Sequence, residues 1–136
     1  MILIDTGPLV GLCHPLDPYN KAAAKHLKAF ATCDFAVCEP ILAEACFHLR
    51  HREHRQRVRE LLDELDVLVL PAVPDRSYWD DVLGWLAKYA DQEPDWADAC
   101  VAVLCGRNHD LEVWTYDSEF RTTWRRPDGT RIPLAV

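Results

Sequence analysis

The chain has 136 residues, of which 49% are hydrophobic and 27% charged, and its formal net charge is −7. That length suits a single domain over residues 1–136, able to bury about two-thirds of the surface its unfolded chain exposes, and the balance excludes disordered, collagen-like and low-complexity classes. The longest apolar runs, Val67–Val73 and Ala99–Cys105, have seven residues each, against the roughly 20 of a membrane-spanning helix, so no membrane partner is expected. The first residues, Met1-Ile2-Leu3-Ile4-Asp5, carry neither a basic leader nor a cleavage site, which makes the expected location cytoplasmic.

A net negative charge argues against a protein that coats nucleic acid through phosphate neutralisation. Residues 50–59 reverse that charge locally with five Arg against one Glu, leaving 10 basic and 21 acidic residues in the rest of the chain. The six cysteines, at 13, 33, 38, 46, 100 and 105, show no C-x-x-C spacing and no zinc-type pairing with His, and read as buried thiols.

In chain order, the apolar pattern alternates between two periods. Ile2–Ile4 is a short β-branched run and reads as a strand buried on both faces. A helix opens at Asp17-Pro18 and carries Ala23, Leu27, Phe30 and Ala31. Phe35–Cys38 is the second strand, and a helix after Pro40 carries Ile41, Leu42, Ala45 and Leu49. A further helix carries Val58, Leu61, Leu62 and Leu65, and leads to the strand Val67–Leu70. The next helix starts near Asp75 with Tyr78, Trp79, Val82, Leu83 and Leu86. The last runs from near Asp95 to a stop at Gly106, burying Trp96, Ala99, Cys100, Val103 and Leu104. Val113–Thr115 is the fourth strand, and Arg131–Leu134, with its proline, suits an edge strand. Strands alternating with helices of this length predict an α/β fold: a parallel sheet with right-handed crossovers and helices on both faces.

Open parallel sheets bind ligands beyond the carboxyl ends of their strands. Asp5 follows the first strand, Asp117 and Glu119 follow the fourth, Asp95 and Asp98 share one edge of the last helix, and Glu44 lies off the apolar face of its own helix. Each has a local alternative: Asp5 as a helix N-cap, Asp95 and Asp98 as a capping box, Glu44 as a solvated helix residue, Asp117-Ser118 as a turn. Together they place acids from several elements at one end of one sheet. Crowded carboxylates raise one another's pKa unless a cation lies between them, and a hard, oxygen-binding ion, Mg2+ or Mn2+, is the natural occupant.

Ile2-Leu3-Ile4-Asp5-Thr6, Ala43-Glu44, Pro94-Asp95-Trp96-Ala97-Asp98-Ala99 and Thr115-Tyr116-Asp117-Ser118-Glu119-Phe120 resemble, in order and spacing, the acidic motifs of PIN-domain nucleases, particularly the VapC toxins of toxin–antitoxin pairs. The resemblance implies a three-layer α/β/α sandwich with a mainly parallel five-stranded sheet, a homodimer, metal-dependent endoribonuclease activity on RNA and a small antitoxin partner. By that resemblance Asp5, Glu44, Asp98 and Asp117 match the catalytic quartet, with Asp5, Asp98 and Asp117 as metal ligands. Asp95 matches an extra acid found in a subset, Thr6 and Thr115 match supporting hydroxyls, and Glu119 stands where many relatives have Asp. Arg50, Arg52, Arg55, Arg121 and Arg125 are candidate phosphate contacts around the acidic centre.

Three rival readings come from other residues or roles. His48, His51 and His54 recur at helical spacing and suggest metal-free acid–base cleavage, but leave the acids unexplained. Asp5-Thr6-Gly7 is also the triplet of aspartic proteases, which are nearly all β, whereas most of this chain has helical period. A catalytically inactive PIN-like interaction module is the non-enzymatic alternative.

Overall fold

A computed structural model describes residues 1–136. Its elements are β1 (Ile2–Ile4), α1 (Thr6–Cys13), α2 (Asn20–Ala29), β2 (Phe35–Cys38), α3 (Glu39–His48), α4 (Arg52–Glu64), β3 (Leu68–Leu70), α5 (Arg76–Lys88), a 3-10 turn (Ala90–Gln92), α6 (Trp96–Arg107), β4 (Glu112–Trp114) and α7 (Glu119–Thr122). The four strands are parallel in the order β3-β2-β1-β4, with Ile2 opposite both Phe35 and Glu112, and Ala36 opposite Leu68.

Successive connections step from β1 outward to β3 and then jump back across the sheet to β4, so the topology reverses between β1 and β4. Beyond the carboxyl ends of that pair lies the crevice where parallel sheets hold ligands. β1 and β2 are buried at every residue, as strands covered by helices on both faces must be. α1 packs on α2, α3 and α4, α5 packs on α6, and α3 reaches α6. One cluster of 32 buried apolar residues runs through these layers.

The sheet departs from expectation at both edges. The five-stranded sheet is four-stranded: Arg131–Leu134 adds only a parallel bridge between Leu134 and Val113, held by Val113 N–H to Pro133 O at 2.8 Å and Ala135 N–H to Val113 O at 2.9 Å. Pro133 has no N–H to extend a ladder, and Arg131 pairs the other way, with Arg125. At the opposite edge β3 is not buried on both faces, since Leu68 and Val69 are 48% and 46% exposed. It begins at Leu68, not Val67, and β4 ends at Trp114, one residue before the expected boundary.

Several helical expectations also shift. Trp79, Leu83 and Trp96 lie on the surface instead of in the core. α6 continues through Gly106 to Arg107. Gly106 is a close-approach residue instead of a stop: a Cβ there would lie 2.7 Å from Pro127 Cδ. All six cysteines are unpaired; Cys13, Cys38, Cys100 and Cys105 are buried as expected, while Cys33 is exposed and Cys46 half-buried. No helix is long and apolar enough to cross a membrane.

Candidate active site

Asp5 leaves β1 at the crevice and occupies the N-cap position of α1, but its carboxylate makes no cap bond. It turns instead to the neighbouring strand's exit, where the Thr115 hydroxyl donates to Asp5 Oδ2 at 2.6 Å. Thr115 is buried, and its oxygen also accepts the Asp117 N–H at 2.9 Å. Asp117 Oδ1 in turn accepts the Glu119 N–H at 2.8 Å, so the turn after β4 is fixed link by link. Glu119 thus supports Asp117 through its backbone while its own side chain is exposed.

On the other side, Glu44 stands one turn into α3, where the Thr6 hydroxyl from α1 donates to Glu44 Oε2 at 2.5 Å. Asp95 and Asp98 do form a capping box at the start of α6: Asp95 Oδ1 accepts the Asp98 N–H at 2.8 Å, and Asp98 Oδ2 accepts the Asp95 N–H at 3.3 Å. The bland local reading is therefore correct for this pair, and it also aims both acids at the crevice.

Asp5, Glu44, Asp95, Asp98 and Asp117 line one cavity of about 270 Å3, together with Thr6, Gly7, Tyr19 and Tyr116. No Lys or Arg lines it. Burial pushes the Asp5 carboxyl up to about 6, against the pull of the Thr115 hydrogen bond and with further push from Glu44 and Asp117. Asp98 rises to about 8, through burial first and then through the charges of Asp95, Asp5 and Asp117. Negative charge is concentrated here without a protein cation to offset it.

The donor set consists of oxygens alone, which suits Mg2+ or Mn2+ over softer ions. As the side chains stand, no three of them close on a common point. The fit to a divalent ion therefore rests on donor chemistry and uncompensated charge. A second cavity of about 670 Å3, mainly apolar and including Trp79, Trp96 and Pro71, shares Glu44 and Asp95 with the acidic one.

The candidate phosphate contacts lie outside the cavity. Arg55 donates to Leu49 O and Cys46 O, both at 2.7 Å, and Arg50 donates to Phe47 O at 2.7 Å, so both close the C-terminal end of α3. Arg121 bonds to Val136 O, and Arg125 to Trp124 O and Thr122 O. Arg52 lies exposed on α4. Of the three histidines, His48 and His51 are exposed, and His54 stacks on His14 with ring centroids 4.2 Å apart. Tyr19 and Tyr116 were not expected at the site. Tyr116 sits between two motif residues, but nothing in the residues around Tyr19 marks it.

The chain is an α/β protein with a parallel sheet and carboxylates gathered where the strand order reverses. The family model of the PIN domain matches residues 2–124, and the chain belongs to that family. Among solved structures, VapC20 of Mycobacterium tuberculosis, a sarcin–ricin loop cleaving toxin, is similar in fold. Its TM-score is 0.69 at 19% identity, over 93% of this chain and 98% of that one. No curated protein matches the chain.

Proposed function

We propose that this chain is a divalent-metal-dependent endoribonuclease acting as the toxin of a toxin–antitoxin pair. The observation that carries the reading is the cavity itself: carboxylates from β1, α3, α6 and the turn after β4, with no basic side chain among them. Membership of the PIN domain family supports it, as does likeness of fold to a toxin that cleaves the sarcin–ricin loop.

Asp5, Asp98 and Asp117 would hold Mg2+ or Mn2+, with Glu44 completing the acidic set. Such an ion, when bound, would lower the pKa of a water and polarise a phosphoryl oxygen for in-line hydrolysis, and the family resemblance implies 5′-phosphate and 3′-hydroxyl ends. The protein's part is positioning. Thr115 fixes the Asp5 carboxylate, Thr6 fixes that of Glu44, and the Asp95–Asp98 box orients the start of α6. Arg50, Arg52, Arg55, Arg121 and Arg125, which lie outside the cavity, are the basic side chains that would contact RNA phosphates. A homodimer, an antitoxin partner and a cytoplasmic location belong to the same reading.

The test is incubation of the purified chain with total RNA and Mn2+, followed by mapping of the cut ends. Asp5→Asn and Asp98→Asn should each abolish cleavage while the fold survives. Cleavage persisting in the double variant with EDTA present would transfer the chemistry to the histidines, and no cleavage by the wild type with any divalent ion would leave an interaction module.

A further inference from the structure

Two tyrosines share the acidic cavity, and neither belongs to the buried core. Tyr116 is half-buried, and its ring stacks on that of Tyr19 with centroids 4.6 Å apart and 22° between planes. Tyr19 remains 46% exposed. A large aromatic face left open to water beside a cluster of carboxylates contributes little to folding.

Both rings are firmly mounted. The Tyr116 hydroxyl accepts Trp114 Nε1–H at 3.3 Å and shares a hydrogen bond with His26 Nδ1 at 3.0 Å. The Tyr19 backbone N–H donates to Asp17 Oδ1 at 2.8 Å, and the adjacent Asn20 amide donates to Gly11 O at 2.8 Å. Gly11 lets this segment approach closely, since a Cβ there would come 3.3 Å from Tyr19 Cβ. The mounting joins α1, the start of α2 and the exit of β4, the elements that also present Thr6 and Asp117 to the cavity.

We propose that Tyr19, backed by Tyr116, is the stacking platform for an unpaired base next to the scissile phosphate. The proposal rests on the ribonuclease reading above. The carboxylates, with the cation they would hold, would address a phosphate, which would leave the base of the same or the next nucleotide at the cavity wall. That wall is the tyrosine pair. A base inside a duplex is already stacked on both faces, whereas an unpaired one gains by laying a face on an aromatic ring. Stacking also adds affinity without positive charge, which an acidic cavity lacks.

The test uses the full chain and an unstructured RNA decamer carrying the fluorescent base 2-aminopurine at each position in turn. Stopped-flow mixing with Mn2+ reads stacking as quenching before cleavage, and steady-state cleavage of the same decamers gives KM and kcat. The wild type should quench at one or two positions flanking the cut. Tyr19→Ala should lose that quenching and raise KM by roughly tenfold, the scale of one lost stacked base, with kcat largely kept. Tyr19→Phe, which keeps the ring, should restore both, and the melting temperatures of all three should agree within a few degrees.

Unchanged KM and quenching in Tyr19→Ala would overturn the proposal, and so would equal losses in Tyr19→Ala and Tyr19→Phe. Loss of a co-purifying protein partner in Tyr19→Ala with KM intact would overturn it too, assigning the ring to a protein interface. Failure of the nuclease reading is distinguishable, because the wild type would then cut no decamer whatever stands at position 19.

Discussion

The Thr115 hydroxyl donates to Asp5 Oδ2 at 2.6 Å, linking the residue after β4 to the residue after β1 across the point where the strand order reverses. One oxygen serves two acids, because it also accepts the Asp117 N–H at 2.9 Å. Replacing Thr115 with Val keeps the shape and removes both bonds. Groups that orient a ligand carboxylate are typically worth about 10–100-fold in metal affinity or activity. Thr115→Val should therefore weaken Mn2+ binding and RNA cleavage by about that factor, and Thr115→Ser should recover most of the loss. Mn2+ titration followed by melting temperature, beside cleavage rates, checks it; unchanged affinity in Thr115→Val would remove Thr115 from the site's support.

Gly106 faces Pro127 so closely that a Cβ would lie 2.7 Å from the ring's Cδ. The neighbour is a rigid ring and cannot swing away. Gly106→Ala should cost roughly 1–3 kcal/mol through overpacking, despite the higher helix propensity of Ala. The measurement is a denaturant midpoint, with cleavage per folded molecule unchanged since Gly106 lies away from the cavity. A gain in stability would mean that the segment at Pro127 moves aside at no cost.

The arginines after α3 divide by what they already hold. Arg55 closes the end of α3 through Leu49 O and Cys46 O, a favourable place for a cation at a helix C-terminus. Arg55→Gln should therefore lower stability by about 1 kcal/mol. Exposed Arg52 has no such duty. Arg52→Gln should leave melting unchanged and reduce the salt dependence of RNA binding, by about 0.7 in log–log slope for one lost single-strand phosphate contact. An unaltered slope would take Arg52 off the RNA path.

How much of this was legible in the sequence depends on whether the signal was local. β1, β2 and the bulk of α3, α4 and α5 follow from apolar period, and the site acids follow from their position after strands and at helix starts. α1 escaped because Thr6-Gly7-Pro8-Leu9-Val10-Gly11 has low helix propensity and no apolar stripe. It forms because Pro8 sits in the first turn, where an N–H is not required, and because packing on α2, α3 and α4 supplies the stability. Exposure at β3 was invisible for a different reason: Leu68-Val69-Leu70 reads as a buried strand, and only the strand order makes it an edge. Tyr19 reaches the cavity solely because α1 and α2 fold together, a long-range fact with no trace in its neighbours. Thr115 and Thr6 were expected as supporting hydroxyls by family resemblance, and the structure supplies their partners, Asp5 and Glu44.

The acidic cavity makes a prediction about pH in the absence of metal. Asp98 keeps its proton in the fold up to about pH 8, and Asp5 up to about 6, against an ordinary value of 3.8 for each. A carboxyl whose folded pKa lies above its unfolded one binds more proton in the native state, so stability falls as pH rises through that interval. In EDTA the melting temperature should thus decline from about pH 4 to pH 8. The later part of the decline belongs to Asp98. Asp98→Asn keeps an oxygen to accept the Asp95 N–H, so the capping box survives while the repelling charge goes. The variant should melt higher than wild type in EDTA at pH 8 and show a flatter pH profile. Mn2+ should do the reverse to the pair. An ion that binds only the folded state stabilises wild type by about 2.7 kcal/mol at a hundredfold excess over Kd, and Asp98→Asn should lose most of that gain. Capping alone forecasts a small loss in the variant at every pH, with or without metal. Melting curves of both proteins at pH 5 and pH 8, each with EDTA and with Mn2+, decide between the two, and a wild-type profile that is flat or rising with pH in EDTA would refute the repelling cluster.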